Sequence, residues 1–240
     1  MIRIEGLWKS FEDHDVLRGV NLDIEEGEAM VILGPSGCGK SVLLKHIIGL
    51  MMPDEGSVQI NGTDIASLDR GGLFELRRKF GMLFQSAALF DSMTVYENVS
   101  IGLTEHTGLS EDEKQEIVAE KLELVGLPLK EDLYPAELSG GMRKRVGLAR
   151  AICMDPEIVL YDEPTTGLDP IIADTINELI ISLQKRLNIT SIVVTHDMRS
   201  AFMIGDRLAL LHEGEIRFVG TTDEIERSED PIVREFLSHR

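Results

Sequence analysis

The chain has 240 residues, 43% hydrophobic and 28% charged, which are the proportions of a soluble globular protein with room for one large domain or a core carrying an inserted lobe. Its 42 acidic residues outnumber 24 lysines and arginines, giving a formal net charge of −18. That balance counts against a nucleic-acid binder and against direct adsorption to anionic lipid, since both need a basic face. No apolar run is long enough to span a bilayer. Met1-Ile2-Arg3-Ile4-Glu5 opens without the apolar region of an export signal, so the protein is expected to stay where it is made. Cys38 and Cys153 suggest no disulfide and are expected to be small buried thiols in a reducing compartment.

In chain order, Ile2 and Ile4, then Val20, Leu22 and Ile24, alternate with polar residues as half-buried strands do. Ala29 to Leu33 is a continuous apolar run, the pattern of a strand buried on both faces. Val42 to Ile48 reads as a helix that ends near Gly49. Pro53 to Gly56 is a turn, Ser57 to Ile60 a strand, and Asn61-Gly62 a hairpin signal. Near Phe84-Gln85 the texture changes, and residues 86–149 are expected to form a helical lobe. Within it Ser110-Glu111-Asp112-Glu113 is a capping box, and Ile117, Val118, Leu122 and Val125 supply an apolar face. Ile158 to Tyr161 and Ser191 to Val194 are buried strands, with a helix over Thr175 to Arg186 between them. Strands alternating with helices imply an α/β fold with a mostly parallel sheet. Ligand groups then belong at the carboxyl ends of the strands, where Gly34, Asp162 and His196 fall.

Gly34-Pro35-Ser36-Gly37-Cys38-Gly39-Lys40-Ser41 lies between a strand and a helix, the context a phosphate loop requires. Glycines let main-chain N–H groups approach phosphates closely, and the helix N-terminus adds partial positive charge. Lys40 is suited to bridge the β- and γ-phosphates and Ser41 to ligate Mg²⁺. Ile158-Val159-Leu160-Tyr161 leads to Asp162-Glu163. A carboxylate at a strand tip can hold Mg²⁺, which is the role expected of Asp162, and Glu163 can serve as general base toward an attacking water.

With Leu138-Ser139-Gly140-Gly141-Met142 added, the motifs resemble ABC-type nucleotide-binding domains over nearly the whole chain. The resemblance implies a phosphate-loop core with an N-terminal antiparallel β region over 1–85 and 150–221, a signature-bearing helical subdomain over 86–149, and a tail over 222–240. It implies that Gln85 senses Mg²⁺ and water, and that Ser139, Gly140 and Gly141 contact the γ-phosphate held by a second copy. Asp169, in Gly167-Leu168-Asp169, lies on the loop that passes between copies. His196 contacts the γ-phosphate, and Phe11 stacks on adenine. The expected ligands are ATP and Mg²⁺, and the expected assembly is a homodimer that sandwiches two ATP molecules.

A signature ending in Met142 and followed by Arg143, Lys144 and Arg145 resembles the ATPases of Mce-type lipid transport systems. Leu83 to Phe90, Glu105-His106-Thr107 and Asp230 to Leu237 agree with it. In that family the tail helps hold the dimer, and Ile232, Val233, Phe236 and Leu237 recur at helical spacing. This implies a membrane permease and an Mce-domain protein as partners, at the cytoplasmic face of a bacterial inner membrane, with the membrane reached only through the permease. The permease is expected to dock beside Gln85, against Leu89, Phe90 and Met93, with Tyr96 and Asn98 nearby. Rival readings are an ABC ATPase for another cargo, such as an amino acid or a lipoprotein, and a non-transport ABC ATPase. Ser139-Gly140-Gly141 argues against a phosphate-loop kinase.

Overall fold

A computed structural model describes residues 1–12 and 14–238. The expected tail therefore ends on two residues, 239 and 240, that lie outside the described ones. In chain order the elements are β1 (Ile2–Phe11), β2 (His14–Ile24), β3 (Ala29–Leu33), α1 (Lys40–Ile47), β4 (Glu55–Ile60), β5 (Thr63–Asp64), α2 (Arg70–Arg78), β6 (Phe80–Leu83), α3 (Val95–His106), α4 (Glu111–Leu124) and α5 (Gly140–Ile152). There follow β7 (Ile158–Asp162), α6 (Pro170–Leu187), β8 (Thr190–Thr195), α7 (Met198–Ile204), β9 (Arg207–His212), β10 (Glu215–Gly220), α8 (Thr222–Glu226) and α9 (Pro231–Ser238). The fold is α/β, with parallel strand pairing beside an N-terminal antiparallel region.

Two compact units divide the chain, one over Met1–Arg77 and Thr190–Arg240, the other over Arg78–Ile189. The second begins before residue 86 and runs past 149, because β6, β7 and α6 cluster with the helices α3 to α5.

In the first unit β2-β1-β4-β5 form an antiparallel sheet whose alternation buries Ile2, Ile4, Val20, Leu22 and Ile24 on one face. The β4–β5 hairpin turns through Asn61 and Gly62, both at positive φ, as the sequence pair leads one to expect. β3 is fully buried and pairs in parallel with β8 on one side and β9 on the other, which explains its unbroken apolar run. The hairpin of β9 and β10 was not anticipated, although Leu208 to Leu211 is an apolar run of strand length. In the tail, Val233 of α9 is fully buried, while Ile232, Phe236 and Leu237 stay half-exposed.

In the second unit β6 and β7 pair in parallel. Helix α4 starts at the expected capping box: Ser110 Oγ accepts the Glu113 N–H and Glu113 Oε2 accepts the Ser110 N–H. Helix α3 starts with a second box, formed by Thr94 and Glu97. Val118, Leu122 and Val125 are buried, as their spacing predicts, while Ile117, expected on the same face, stays half-exposed. Among the described residues no helix is long and apolar enough to cross a membrane.

Candidate nucleotide site

The first unit builds an anion cradle from main chain. The loop 34–39 leaves the buried end of β3 and turns directly into α1, whose N-cap is Gly39 with no side-chain cap. The helix start is thus left to whatever anion the loop encloses. Gly34 has no alternative in sequence, because a Cβ there would stand 2.3 Å from Leu211 O. Lys40 Nζ curls back into the loop and donates to Gly34 O (2.7 Å) and Pro35 O (3.0 Å), which buries the ammonium at the cradle's centre. Pro35, Ser36 and Gly37 remain exposed, Cys38 is buried, and Ser41 stands exposed one position into α1. A buried lysine charge, an exposed loop and a helix start without a side-chain cap are what a bound triphosphate would need.

A cavity of about 440 Å³ opens on the loop, lined by Pro35 to Cys38 together with residues of β2 that include His14, Val16 and Arg18. Phe11 ends β1, and Phe11 and His14 are paired across the β1–β2 hairpin. Phe11 is 42% exposed, with Lys9 Nζ 5.7 Å from its ring centroid. An exposed aromatic beside a nucleotide-sized cavity can stack on a base. On the other side of β3, Leu33 and Thr195 are register partners, so Gly34 and His196 each follow the last paired residue of neighbouring parallel strands. His196 is exposed, and the next residue, Asp197, caps α7 by accepting the Arg199 and Ser200 N–H groups.

The second unit gathers the remaining residues at the carboxyl edge of β6 and β7. Leu83 pairs with Tyr161, so Gln85 and Glu163 both lie two residues beyond the same rung, and Asp162 ends its strand. The Gln85 residue is exposed. Glu163 is buried and adopts φ +49°, a left-handed conformation uncommon for a residue with a long side chain. Thr166 Oγ1 donates to Glu163 Oε2 (3.1 Å) and fixes the carboxylate. Lys144, buried in α5, donates from Nζ to Gln85 O (2.5 Å) and Glu163 O (3.3 Å). Burial pulls its ammonium down to about 8, with the charges of Asp162 and Glu163 acting in opposition.

The signature opens α5. Ser139 is its N-cap, and its Oγ accepts the Met142 N–H at 3.3 Å. The bare Gly140 and Gly141 pack toward Leu168 and Ile172. Asp169 caps α6, with Oδ1 accepting the Ile171 (3.2 Å) and Ile172 (3.1 Å) N–H groups. Its carboxylate thus shapes the very loop that the signature glycines pack against. The three basic residues after Met142 separate: Arg143 reaches Leu138 O (2.7 Å), Arg145 reaches Val125 O (3.4 Å), and Lys144 goes inward.

Sequence reading missed Lys144, Thr166 and Arg150. For Lys144 a signal existed. Gly141, Lys144, Leu148 and Ala151 are all buried at the three-and-four spacing of a core face, and a lysine at such a position is anomalous.

The loop that follows β3 and the Ser-Gly-Gly start of α5 are, each within its own unit, the sequence marks of a phosphate-loop ATPase. The chain belongs to the ABC transporter family, whose model matches residues 17–166, and it is an ATP-hydrolysing nucleotide-binding subunit. It is 45% identical over 239 residues to the probable ribonucleotide transport ATP-binding protein mkl of Mycobacterium leprae, covering 100% of this chain and 69% of the relative. It is 41% identical to the intermembrane phospholipid transport system ATP-binding protein MlaF of Haemophilus influenzae, over 99% of this chain and 90% of MlaF. Among solved structures it resembles the dimeric, post-hydrolysis ATP-binding cassette MJ0796 bound to ADP and Pi, with TM-score 0.84, 34% identity, and coverage of 92% of this chain and 98% of that one.

Proposed function

We propose that the chain is the ATPase subunit of a phospholipid transporter, working as a homodimer that closes on two ATP molecules and loosens on hydrolysis. The likeness to MlaF along nearly the full length of both chains carries the cargo reading. The dimeric state named for the MJ0796 cassette supports the assembly. In this reading Lys40 and the loop N–H groups grip the phosphates, Phe11 stacks on adenine, and His196 reads the γ-phosphate. Ser139, Gly140 and Gly141 close on the ATP of the second copy, and Asp169 orders the loop between copies. Glu163 takes the proton of the attacking water, held in aim by Thr166 and by its own main-chain conformation.

Ser41, Asp162 and Gln85 are the residues that would hold Mg²⁺. Among the described residues no three His, Cys, Asp or Glu side chains gather as a metal site, which fits an ion held mostly by phosphate oxygens. When bound, it neutralises charge on the phosphates.

The motion must reach a membrane partner. A cavity of about 790 Å³ within the second unit is lined by Met93, Tyr96 and residues of α3 and α4. Phe90 stands exposed nearby in sequence. Asn98 is fully buried and ties Phe90 O, Met93 O and Thr94 O with its amide, so its part is to shape this surface and leave Phe90 and Met93 to meet the partner. We assign this surface to the permease, place the subunit peripherally on the cytoplasmic face of a bacterial inner membrane, and name an Mce-domain protein as the further subunit. The mkl relative motivates a second reading, in which the cargo is a ribonucleotide.

Affinity purification of the tagged chain from detergent-solubilised membranes, with mass spectrometry of proteins and bound small molecules, decides between them. A permease, an Mce-domain protein and phospholipid are expected. A permease with nucleotide cargo would replace the lipid reading and keep the ATPase.

A further inference from the structure

Helix α5 does more than present the signature. From its inward face three positions meet the segment that follows β6. Lys144 Nζ holds Gln85 O, and Arg150 holds Ala88 O (2.7 Å) and Ala87 O (2.6 Å) through its two terminal nitrogens. Between them Gly147 lets the chain come close, since a Cβ there would stand 2.7 Å from Leu83 Cδ1 and 3.2 Å from Ala87 Cβ. The segment so held is strained: Ala87 (φ +63°) and Ala88 (φ +46°) are consecutive left-handed residues that are not glycine. Glu163, the other residue Lys144 touches, is left-handed too. Such conformations persist only where surrounding bonds over-determine them, and they gather at functional sites.

A lysine is a costly choice for this post. It is 5% exposed, and its hydrogen bonds go to the main-chain carbonyls of Gln85 and Glu163. An apolar residue of equal size would spare the cost of burying a charge but would leave two carbonyl acceptors without their donor, so the two effects on stability oppose each other. Stability alone therefore does not account for it. Its ammonium, unlike an apolar side chain, can bind two carbonyl oxygens at once, and the two it binds belong to Gln85 and Glu163.

We propose that Lys144 is a positioning residue that ties the main chains of Gln85 and Glu163 to the signature helix, so that the hydrolytic pair is aligned by the same rigid element that engages the second copy's ATP. This rests on the reading of Gln85 and Glu163 as hydrolytic residues. Arg150 fixes the far end of the Gln85 segment, so that the segment moves only with α5.

The test compares Lys144→Met, which fills the space without donors, with Lys144→Gln, which restores uncharged donors, in the chain assembled with its permease. For Lys144→Met, kcat should fall about tenfold or more while KM for ATP stays within about twofold, the pattern of a misplaced catalytic group. Its melting temperature should fall by no more than about 2–4 °C, because the lost hydrogen bonds are offset by no longer burying the ammonium. Lys144→Gln should recover at least about a third of native kcat. Native turnover in Lys144→Met, or kcat, KM and melting temperature failing together, would overturn the proposal. So would a Lys144→Met chain that does not fold, because the lysine would then serve stability. Glu163→Gln, measured in parallel, separates the two ideas. If it keeps native turnover, the base assignment is wrong. If it loses turnover while Lys144→Met does not, only the role of Lys144 falls.

Discussion

The phosphate-loop edge of the first unit and the Gln85–Glu163 edge of the second solve the same task, placing groups beyond the ends of parallel strands, by opposite means. At the first edge the tight backbone is glycine: Gly34, Gly37 and Gly39 take up conformations that need no outside support, and Lys40 bonds back to the Gly34 and Pro35 carbonyls of its own loop. At the second edge the left-handed residues are Ala87, Ala88 and Glu163, held from outside by Lys144 and Arg150. A binding edge can be locally sufficient, because phosphate recognition asks only for converging N–H groups and one charge. An edge that positions a base must hold an acidic side chain in one aim, and glycine has no side chain to aim.

That contrast predicts that binding and turnover separate. Glu163→Gln should lower kcat by about a hundredfold or more, the usual loss with a general base, while ATP still binds and the ATP-bound dimer accumulates. Gel filtration with ATP and a phosphate-release assay check both. Turnover at the native rate would remove Glu163 as base. Lys40→Ala should do the reverse and weaken ATP binding itself, by about 1.5–3 kcal/mol for a lost hydrogen bond to a charged group. Calorimetric titration with ATP reads it, and unchanged affinity would refute the phosphate-loop assignment.

The same contrast explains what could be read in the sequence. The loop 34–41, the capping box at Ser110 and the strand ending at Asp162 are local patterns, each contained in a few consecutive residues, and each stands where expected. Lys144 and Arg150 act on residues 59 and 62 positions away. A basic run after the signature looks like a solvated helix turn until the helix is packed. Thr166 likewise gains meaning only because Glu163 turns left-handed, which no glycine announces. Helix α6 starts five residues before the expected Thr175, because Asp169 caps it and Pro170 suits a first helical position. In the sequence, Asp169 is expected only on the loop between copies, and its capping role shows once α6 is in place.

A milder break in the binding edge is Phe11→Ala. Loss of a stacked base contact costs about 1–3 kcal/mol, so KM for ATP should rise about tenfold with kcat nearly unchanged. A fall in kcat without a change in KM would move Phe11 out of the adenine site and weaken the claim that this unit only binds.

Ala88→Gly sharpens the comparison at its finest point, because it gives the second edge the residue type used by the first. Left-handed geometry costs a non-glycine residue about 1–2 kcal/mol, and glycine at that φ avoids it. The unfolded chain gains freedom in return, worth about 0.4–1 kcal/mol. The two nearly cancel, so the melting temperature should rise by no more than about 2–4 °C for a chain of this size. The Arg150 bond to residue 88 goes to a main-chain oxygen and survives the change. If outside bonds, rather than the identity of residue 88, hold the segment, kcat should stay within about twofold of native. A large fall in kcat with the melting temperature preserved would mean that restricted backbone freedom at Ala88 itself aligns Gln85. The second edge would then be locally encoded after all, in the opposite sense from the first, by forbidding freedom where the phosphate loop requires it.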